Sequence, residues 1–124
     1  MAAQDIDKVT NFLKQLHIVT VAVIDDEGKP WAVPVGVQRY DRGRITWLSK
    51  NNTVHSKAIA RNPEVMLSAW IEGSQPGGLF GFYARAHVKK SLPTPGFAPY
   101  TAEIYEAWYT DNDHQKQEIN IQDL

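Results

Sequence analysis

Apolar residues recur along this chain with two different periods, and the switches between them mark out its elements. In residues 5–16, Ile6, Val9, Phe12, Leu13 and Leu16 fall at helical spacing, with Lys8, Asn11, Lys14 and Gln15 between them and Asp5 available as a cap, which predicts an amphipathic N-terminal helix. Residues 17–25 are β-branched and apolar on both faces, as in a strand buried between neighbours. Asp26-Glu27-Gly28-Lys29 is a turn signal, and residues 31–40 follow as the second arm of a hairpin. A second tight turn at Asp41-Arg42-Gly43 leads into residues 44–49, so three strands succeed one another through short connections.

The helical period returns at residues 53–61, with Asn52 or Thr53 as the cap. Asn62-Pro63 ends the helix, because proline pushes its predecessor out of the helical region. Residues 64–72 alternate as a fourth strand, residues 74–78 form a Ser, Pro and Gly loop, and residues 79–90 make a long fifth strand. Pro93, Pro95, Gly96 and Pro99 then precede a predicted C-terminal helix over residues 99–109, whose Tyr100, Ile104, Ala107 and Trp108 share one face. A short strand is expected within residues 118–122 of the polar tail. With no linker or repeat, residues 1–124 read as one domain of the α+β class, mainly β. The expected architecture is a small closed or nearly closed β-barrel, mostly antiparallel, of about six strands, with N-terminal and C-terminal helices and a short helix between strands 3 and 4.

Alternation also assigns faces. Trp31, Val33, Val35 and Val37 of the second strand are expected to fill the barrel, while Ala32, Pro34 and Gly36 leave the other face with little bulk. Such a face admits a flat ring against the backbone, and it equally describes an edge strand with a bulge. Trp70 shares a face with Met66 and Ser68, opposite Val65, Leu67, Ala69 and Ile71, which assigns it to a subunit interface ahead of a ligand cleft. In the fifth strand Phe80, Phe82, Ala84, Ala86 and Val88 face inward, and Gly81, Tyr83, Arg85, His87 and Lys89 face a solvated or cation-lined side, with Arg85 a candidate anion contact.

Chemistry concentrates in residues 47–63, where a hydroxyl-ended strand passes through a polar turn into a helix carrying His55 and Lys57 near its start and no carboxylate anywhere in the segment. Helix N-termini are partially positive, so cations there are in conflict until an anion arrives. The plainer reading of the same residues is a capped surface helix with Lys57 and His55 in water.

Composition limits the partners. A formal charge of -1 gives no general attraction to nucleic acid or anionic membrane, so any basic site is local. Cysteine is absent, which excludes disulfides and thiolate metal sites and agrees with a reducing compartment. The start is too acidic for a signal peptide and no apolar run approaches the roughly 20 residues of a membrane span, so a cytoplasmic protein is expected. His17, His55, His87 and His114 lack metal-ligand spacing, and no metal is expected.

The order of elements, together with Gly28-Lys29-Pro30-Trp31-Ala32-Val33-Pro34-Val35, Tyr40-Asp41-Arg42-Gly43, Ile45-Thr46-Trp47-Leu48-Ser49 and the run from His55 to Val65, resembles the FMN-binding split-barrel family related to pyridoxamine 5'-phosphate oxidase. The likeness spans residues 5–90 and implies a homodimer with FMN in clefts between the subunits. It also implies that Val33, Pro34 and Val35 run along the flavin ring and that Ser49, Lys50, Asn51, Thr53, His55, Ser56 and Lys57 surround the phosphate. Laid without gaps on the family pattern, Val54-His55 replaces an Arg-Lys pair, and Val33 and Gln38 replace an Arg and a Lys of the second strand. A shift of two residues brings Ser56 and Lys57 into the gripping role. The oxidase's basic C-terminal residues are missing from Glu118 to Leu124, so a true pyridoxamine phosphate oxidase is not expected.

The expected function is an FMN-dependent oxidoreductase of unknown small-molecule substrate, with the pocket completed by residues 74–78 and 91–98 and by the partner subunit. No catalytic side chain stands out, in keeping with a cofactor that carries the redox step. The alternative is a non-catalytic dimer that binds flavin, haem or another planar anionic ligand, or one that has lost its cofactor.

Overall fold

The computed structural model describes residues 3–72, 79–91, 95–110 and 115–124. Helix α1 (Ala3–Lys14) leads into strands β1 (Ile18–Ile24), β2 (Pro30–Asp41) and β3 (Arg44–Lys50); helix α2 (Val54–Arg61) precedes β4 (Glu64–Glu72), β5 (Leu79–Lys90), β6 (Phe97–Thr110) and β7 (Lys116–Ile119), and a 3-10 turn (Ile121–Asp123) ends the chain.

The two hairpin turns form where positive φ is available. Gly28 has φ 77° after Asp25, whose carboxylate accepts the N–H groups of Glu27 and Lys29, each at 2.9 Å. Arg42 and Gly43 have φ 48° and 79°, two left-handed residues in a row as in a type I′ turn. The sheet order is β3-β2-β1-β4-β5-β6-β7 with β3 returning to pair β6, and every pairing is antiparallel. Six strands therefore close a barrel, with β7 added outside β6.

Closure is incomplete on one side, between β2 and β3. Residues 30–36 of β2 pair with β1, whereas β3 joins β2 only from Val37 to Asp41 and gives residues 48–50 to β6. Among the described residues, the second edge of β2 over residues 30–36 has no strand partner. Alternate N–H and C=O groups there face outward, as on any sheet edge.

The core lies inside the barrel: Val19, Val21 and Val23 meet Ile45, Trp47, Leu67, Phe82 and the inward row of β6. Helix α1 adds Val9 and Leu13, both fully buried, and its Phe12 ring lies 6.3 Å from Phe82. Burying each such side chain contributes about 1.5–3 kcal/mol. The inward set predicted for β5 is found at Phe82, Ala84, Ala86 and Val88. Among the described residues no helix is long and apolar enough to cross a membrane.

Three expectations are corrected. The C-terminal helix over residues 99–109 is instead the strand β6, in which Ala98, Tyr100, Ala102 and Ile104 face inward with period two before the pattern resumes at Ala107 and Tyr109. Arg85 pairs Glu106 while Ala86 pairs Ile104, so Tyr105 is an extra residue on β6. That bulge changes one inward step from two residues to three, and Tyr100, Ile104 and Ala107 thereby imitate helical spacing. Trp31 does not fill the barrel: it is 44% exposed, and of its row only Val35 is buried, with Val33 and Val37 half-buried. The open edge of β2 explains this, since no strand covers that end of the row. Finally, β1 does lie between β2 and β4, yet only one of its faces is buried, and Ile18 and Ile24 are exposed.

Candidate functional site

The segment that concentrated the chemistry in the sequence sits at the end of the gap. Along β3, Ile45, Trp47 and Ser49 turn inward while Leu48 and Lys50 turn outward. The chain then turns over residues 51–53, where the Asn51 N–H donates to Gly96 O at 3.1 Å and the Tyr100 hydroxyl donates to Asn51 Oδ1 at 3.3 Å, holding the turn against β6. Thr53 caps α2, its Oγ1 accepting the Ser56 N–H at 3.1 Å. At the other end the Asn62 N–H donates to Ala58 O at 2.9 Å, and α2 packs against β1 and β2.

Ser49, Thr53, His55 and Ser56 are brought together in one hydrogen-bonded cluster. His55 Nε2 lies 2.9 Å from Ser49 Oγ and 3.4 Å from Thr53 Oγ1, and Thr53 Oγ1 lies 2.7 Å from Ser56 Oγ and 3.2 Å from Lys50 O. Ser49, His55 and Ser56 are only 8%, 7% and 2% exposed, so these groups satisfy one another within the fold. Burial lowers the pKa of His55 below the usual imidazole range, which favours the neutral ring. Lys50 and Lys57 are exposed on the outer side of this cluster, the Lys50 Nζ lying 6.0 Å from the centre of the Phe97 ring. The first turn of α2 contains no acidic residue, and its first N–H groups lack intrahelical acceptors, as at any helix start.

Across the gap stands the bare strand face expected from the sequence. Ala32, Pro34 and Gly36 are exposed, and a Cβ built on Gly36 would meet nothing within 4 Å. The structure thus presents an unpaired strand edge with a sparse face, and a helix start with two exposed lysines, Lys50 and Lys57, close by in sequence. It suits a planar ligand carrying an anionic group.

Sequence reasoning missed two features. Trp47 is fully buried, stacks on Tyr100 at 6.1 Å and 12°, and among the described residues its Nε1 has no hydrogen-bond acceptor. Its position between inward Ile45 and Ser49 already signalled burial. The second feature is a cleft of about 510 Å³ on the outer barrel face, floored by Ala22, Ile24 and Met66 and walled by Arg61, Glu64, Arg85 and Tyr105. Its charges are already matched. Arg85 bonds Glu106 at 2.9 Å and lies 5.5 Å from the Trp108 ring centre, Arg61 bonds Asp26, and Glu64 bonds His87 Nδ1 at 2.8 Å and accepts from Tyr105 OH at 2.5 Å. The Tyr105 hydrogen bond, then His87, holds the Glu64 carboxyl below its usual range, and Glu64 raises Tyr105. Arg85, the candidate anion contact, is therefore committed to Glu106. Residues 74–78 lie outside the described residues, as do residues 92–94 of the second expected pocket loop. Trp70 faces away from the core and is 66% exposed, opposite Gly81.

Fold and site together define a split β-barrel, open along the edge of β2 where β3 parts from it. The family described as pyridoxamine 5'-phosphate oxidase matches residues 6–123, and the chain belongs to that family. No curated protein matches the chain. Among solved structures, it is similar to a heme binding protein from Mycobacterium smegmatis (TM-score 0.84, 10% identity), covering 99% of this chain and 60% of that one. A FAD-binding protein from Mesorhizobium loti gives a TM-score of 0.72 at 14% identity, over 88% of this chain and 94% of that one. A Clostridium acetobutylicum protein related to general stress protein 26 of Bacillus subtilis, of the pyridoxinephosphate oxidase family, gives 0.79 at 10% identity, over 98% and 97%. Likenesses at such identity establish the fold and leave function to the site.

Proposed function

We propose that this protein is an FMN-binding oxidoreductase that works as a cytoplasmic homodimer on a small-molecule substrate. The reading is carried by the open edge of β2 over residues 30–36 together with the start of α2, whose first turn holds no acidic residue. The residues present fit the cofactor in two respects. The sparse face of Ala32, Pro34 and Gly36 leaves room for a flat ring, with the backbone of Val33, Pro34 and Val35 alongside. At the helix start, Lys50 and Lys57 supply the positive charge, and Thr53 and Asn51 shape the turn.

FMN, when bound, would supply two-electron redox chemistry. The chain's own part is to hold and orient it: backbone groups of β2 against the ring edge, and α2 amides and lysines against the phosphate. Ser49, His55 and Ser56 act from behind this surface, fixing the turn and the first turn of the helix. Lysine gives a point charge where the family's arginine gives a planar fork, so the grip is weaker than in relatives that keep the Arg-Lys pair. Exposed Trp70 supports a partner subunit on the outer face.

The test is the visible spectrum of the purified protein, followed by FMN titration and reduction of the bound flavin by a nicotinamide donor. A yellow protein whose flavin cycles between donor and acceptor is expected; a colourless protein unresponsive to added FMN would sink the proposal. The likeness to a heme binding protein favours a second reading, a non-catalytic binder of a planar anionic ligand. Haem uptake with a strong visible band, and no flavin response, would select it.

A further inference from the structure

The outer face of β1 and β4 carries both a projection and a hollow. Trp70 projects from β4, 66% exposed, and its partner on β5 is Gly81, which has no side chain to shelter the indole. Four residues earlier on the same strand and the same face, Met66 floors the cleft of about 510 Å³ together with Ala22 and the exposed Ile24. Ser68 lies midway between Trp70 and Met66, which stand about 7 Å to either side of it at the ordinary strand rise. Across the sheet Ser68 is aligned with Thr20 of β1 and Tyr83 of β5, and Thr20 with Pro34 of β2, so the middle of this face carries no charge. The charged groups stand at the cleft walls and are matched within the chain: Arg61 with Asp26, Arg85 with Glu106, and Glu64 with His87 and Tyr105. A second copy approaching with the same face would meet no uncompensated charge on these walls.

We propose that two copies of this chain meet on this face about a two-fold axis passing near Ser68, with Trp70 of each copy seated in the other's cleft. The proposal deepens the homodimer of the proposed function, on which it rests, and does not depend on the cofactor. An isologous contact needs a surface that is complementary to itself. A projection and a hollow displaced equally from one centre meet that need, because an axis in the plane of contact and across the strands exchanges their positions. One such operation carries each Trp70 over the opposite Met66, with the two sheets face to face, and fills both clefts at once. There the indole covers the apolar floor of Ala22 and Ile24, gains a thioether contact from Met66, and lies between walls that carry the Arg61 and Arg85 guanidiniums. A small molecule in the cleft would leave both indoles in water, whereas a second copy buries them, and this selects the second copy as the occupant. The uncharged centre with charged pairs at its margin is also the usual layout of a protein interface.

Sedimentation equilibrium of the intact protein measures the association. The wild type is expected to be a dimer, and Trp70→Ala should raise its dissociation constant at least about thirtyfold, the loss typical of truncating a tryptophan anchor. Met66→Lys alters the hollow and leaves the projection in place, and it should weaken the dimer as well. The chain has no cysteine, so Ser68→Cys sets a single thiol per copy beside the axis, and a short bis-maleimide should join the two copies. A dimeric wild type whose dissociation constant Trp70→Ala does not move, or a dimeric Ser68→Cys protein that fails to cross-link, overturns the proposal and leaves a homodimer joined elsewhere. A wild type that sediments as a monomer at every concentration overturns the proposal together with the homodimer. Uptake of free indole by such a monomer would assign the cleft to a small ligand instead. A dimer that depends on Trp70 but takes up no FMN supports this interface and removes the flavin reading. The cross-link keeps Trp70 in place, so the proposal remains testable even if Trp70→Ala does not fold.

Discussion

Thr53→Ala perturbs the atom on which the start of α2 converges. Thr53 Oγ1 accepts the Ser56 N–H at 3.1 Å and lies 2.7 Å from Ser56 Oγ. Losing a threonine cap costs about 1 kcal/mol. The Ser56 hydroxyl, 2% exposed, then loses a partner it cannot replace with bulk water, at about 1–3 kcal/mol more. The sum is about 2–4 kcal/mol, or a fall in Tm of roughly 6–16 °C for a domain of this size. Thr53→Ser keeps the oxygen and should stay within about 0.5 kcal/mol of the wild type, because serine caps at least as well. Urea unfolding followed by far-UV circular dichroism measures both. If Thr53→Ala unfolds within about 0.5 kcal/mol of the wild type, the cluster is not what fixes the helix start.

Lys57→Ala should weaken FMN binding several-fold in a fluorescence titration while changing stability by under about 0.5 kcal/mol, since Lys57 is exposed; unchanged affinity would remove it from the site. Arg42 holds φ 48° ahead of Gly43, so Arg42→Asn, which creates the favoured Asn-Gly turn pair, should stabilise the hairpin by about 0.5–1 kcal/mol, read as a rise in urea midpoint. Stability should also depend on pH through His55. Its folded pKa is lowered by burial, so as the pH falls through the ordinary histidine range the unfolded chain takes up a proton that the folded chain resists. Stability therefore drops across that window and levels off below the folded pKa. Melting curves in chloride buffers free of sulfate and phosphate should show this limb, and His55→Gln should flatten it.

Most of the barrel was legible because its determinants are local: inward alternation, turn residues and the Asn62-Pro63 stop lie next to the elements they define. The misreading of β6 shows where locality ends. Its bulge at Tyr105 exists only relative to Arg85 and Ala86 on β5, so a pattern on one strand carried information about the other. The same holds for Trp31, whose exposure follows from the absence of a neighbour along β2, and for the Glu64, His87 and Tyr105 network, which needs the β4–β5 register to bring its members together.

The candidate site was legible as a segment but not as a surface. Ser49, Thr53, His55, Ser56 and Lys57 lie within nine consecutive residues, so their proximity followed from the sequence alone. Which of them point into the fold did not follow from a list of polar residues, though the parity of β3 holds the answer: Ser49 falls on the same side as Ile45 and Trp47, and His55 turns in to meet it. This alters the meaning of Val54-His55 where the family has Arg-Lys. A permanent ammonium in place of His55 would resist burial at a position that is only 7% exposed. A neutral imidazole can be buried, and here it ties the helix to β3 through Ser49. The substitution therefore leaves a helix start that is held to β3 from within the fold.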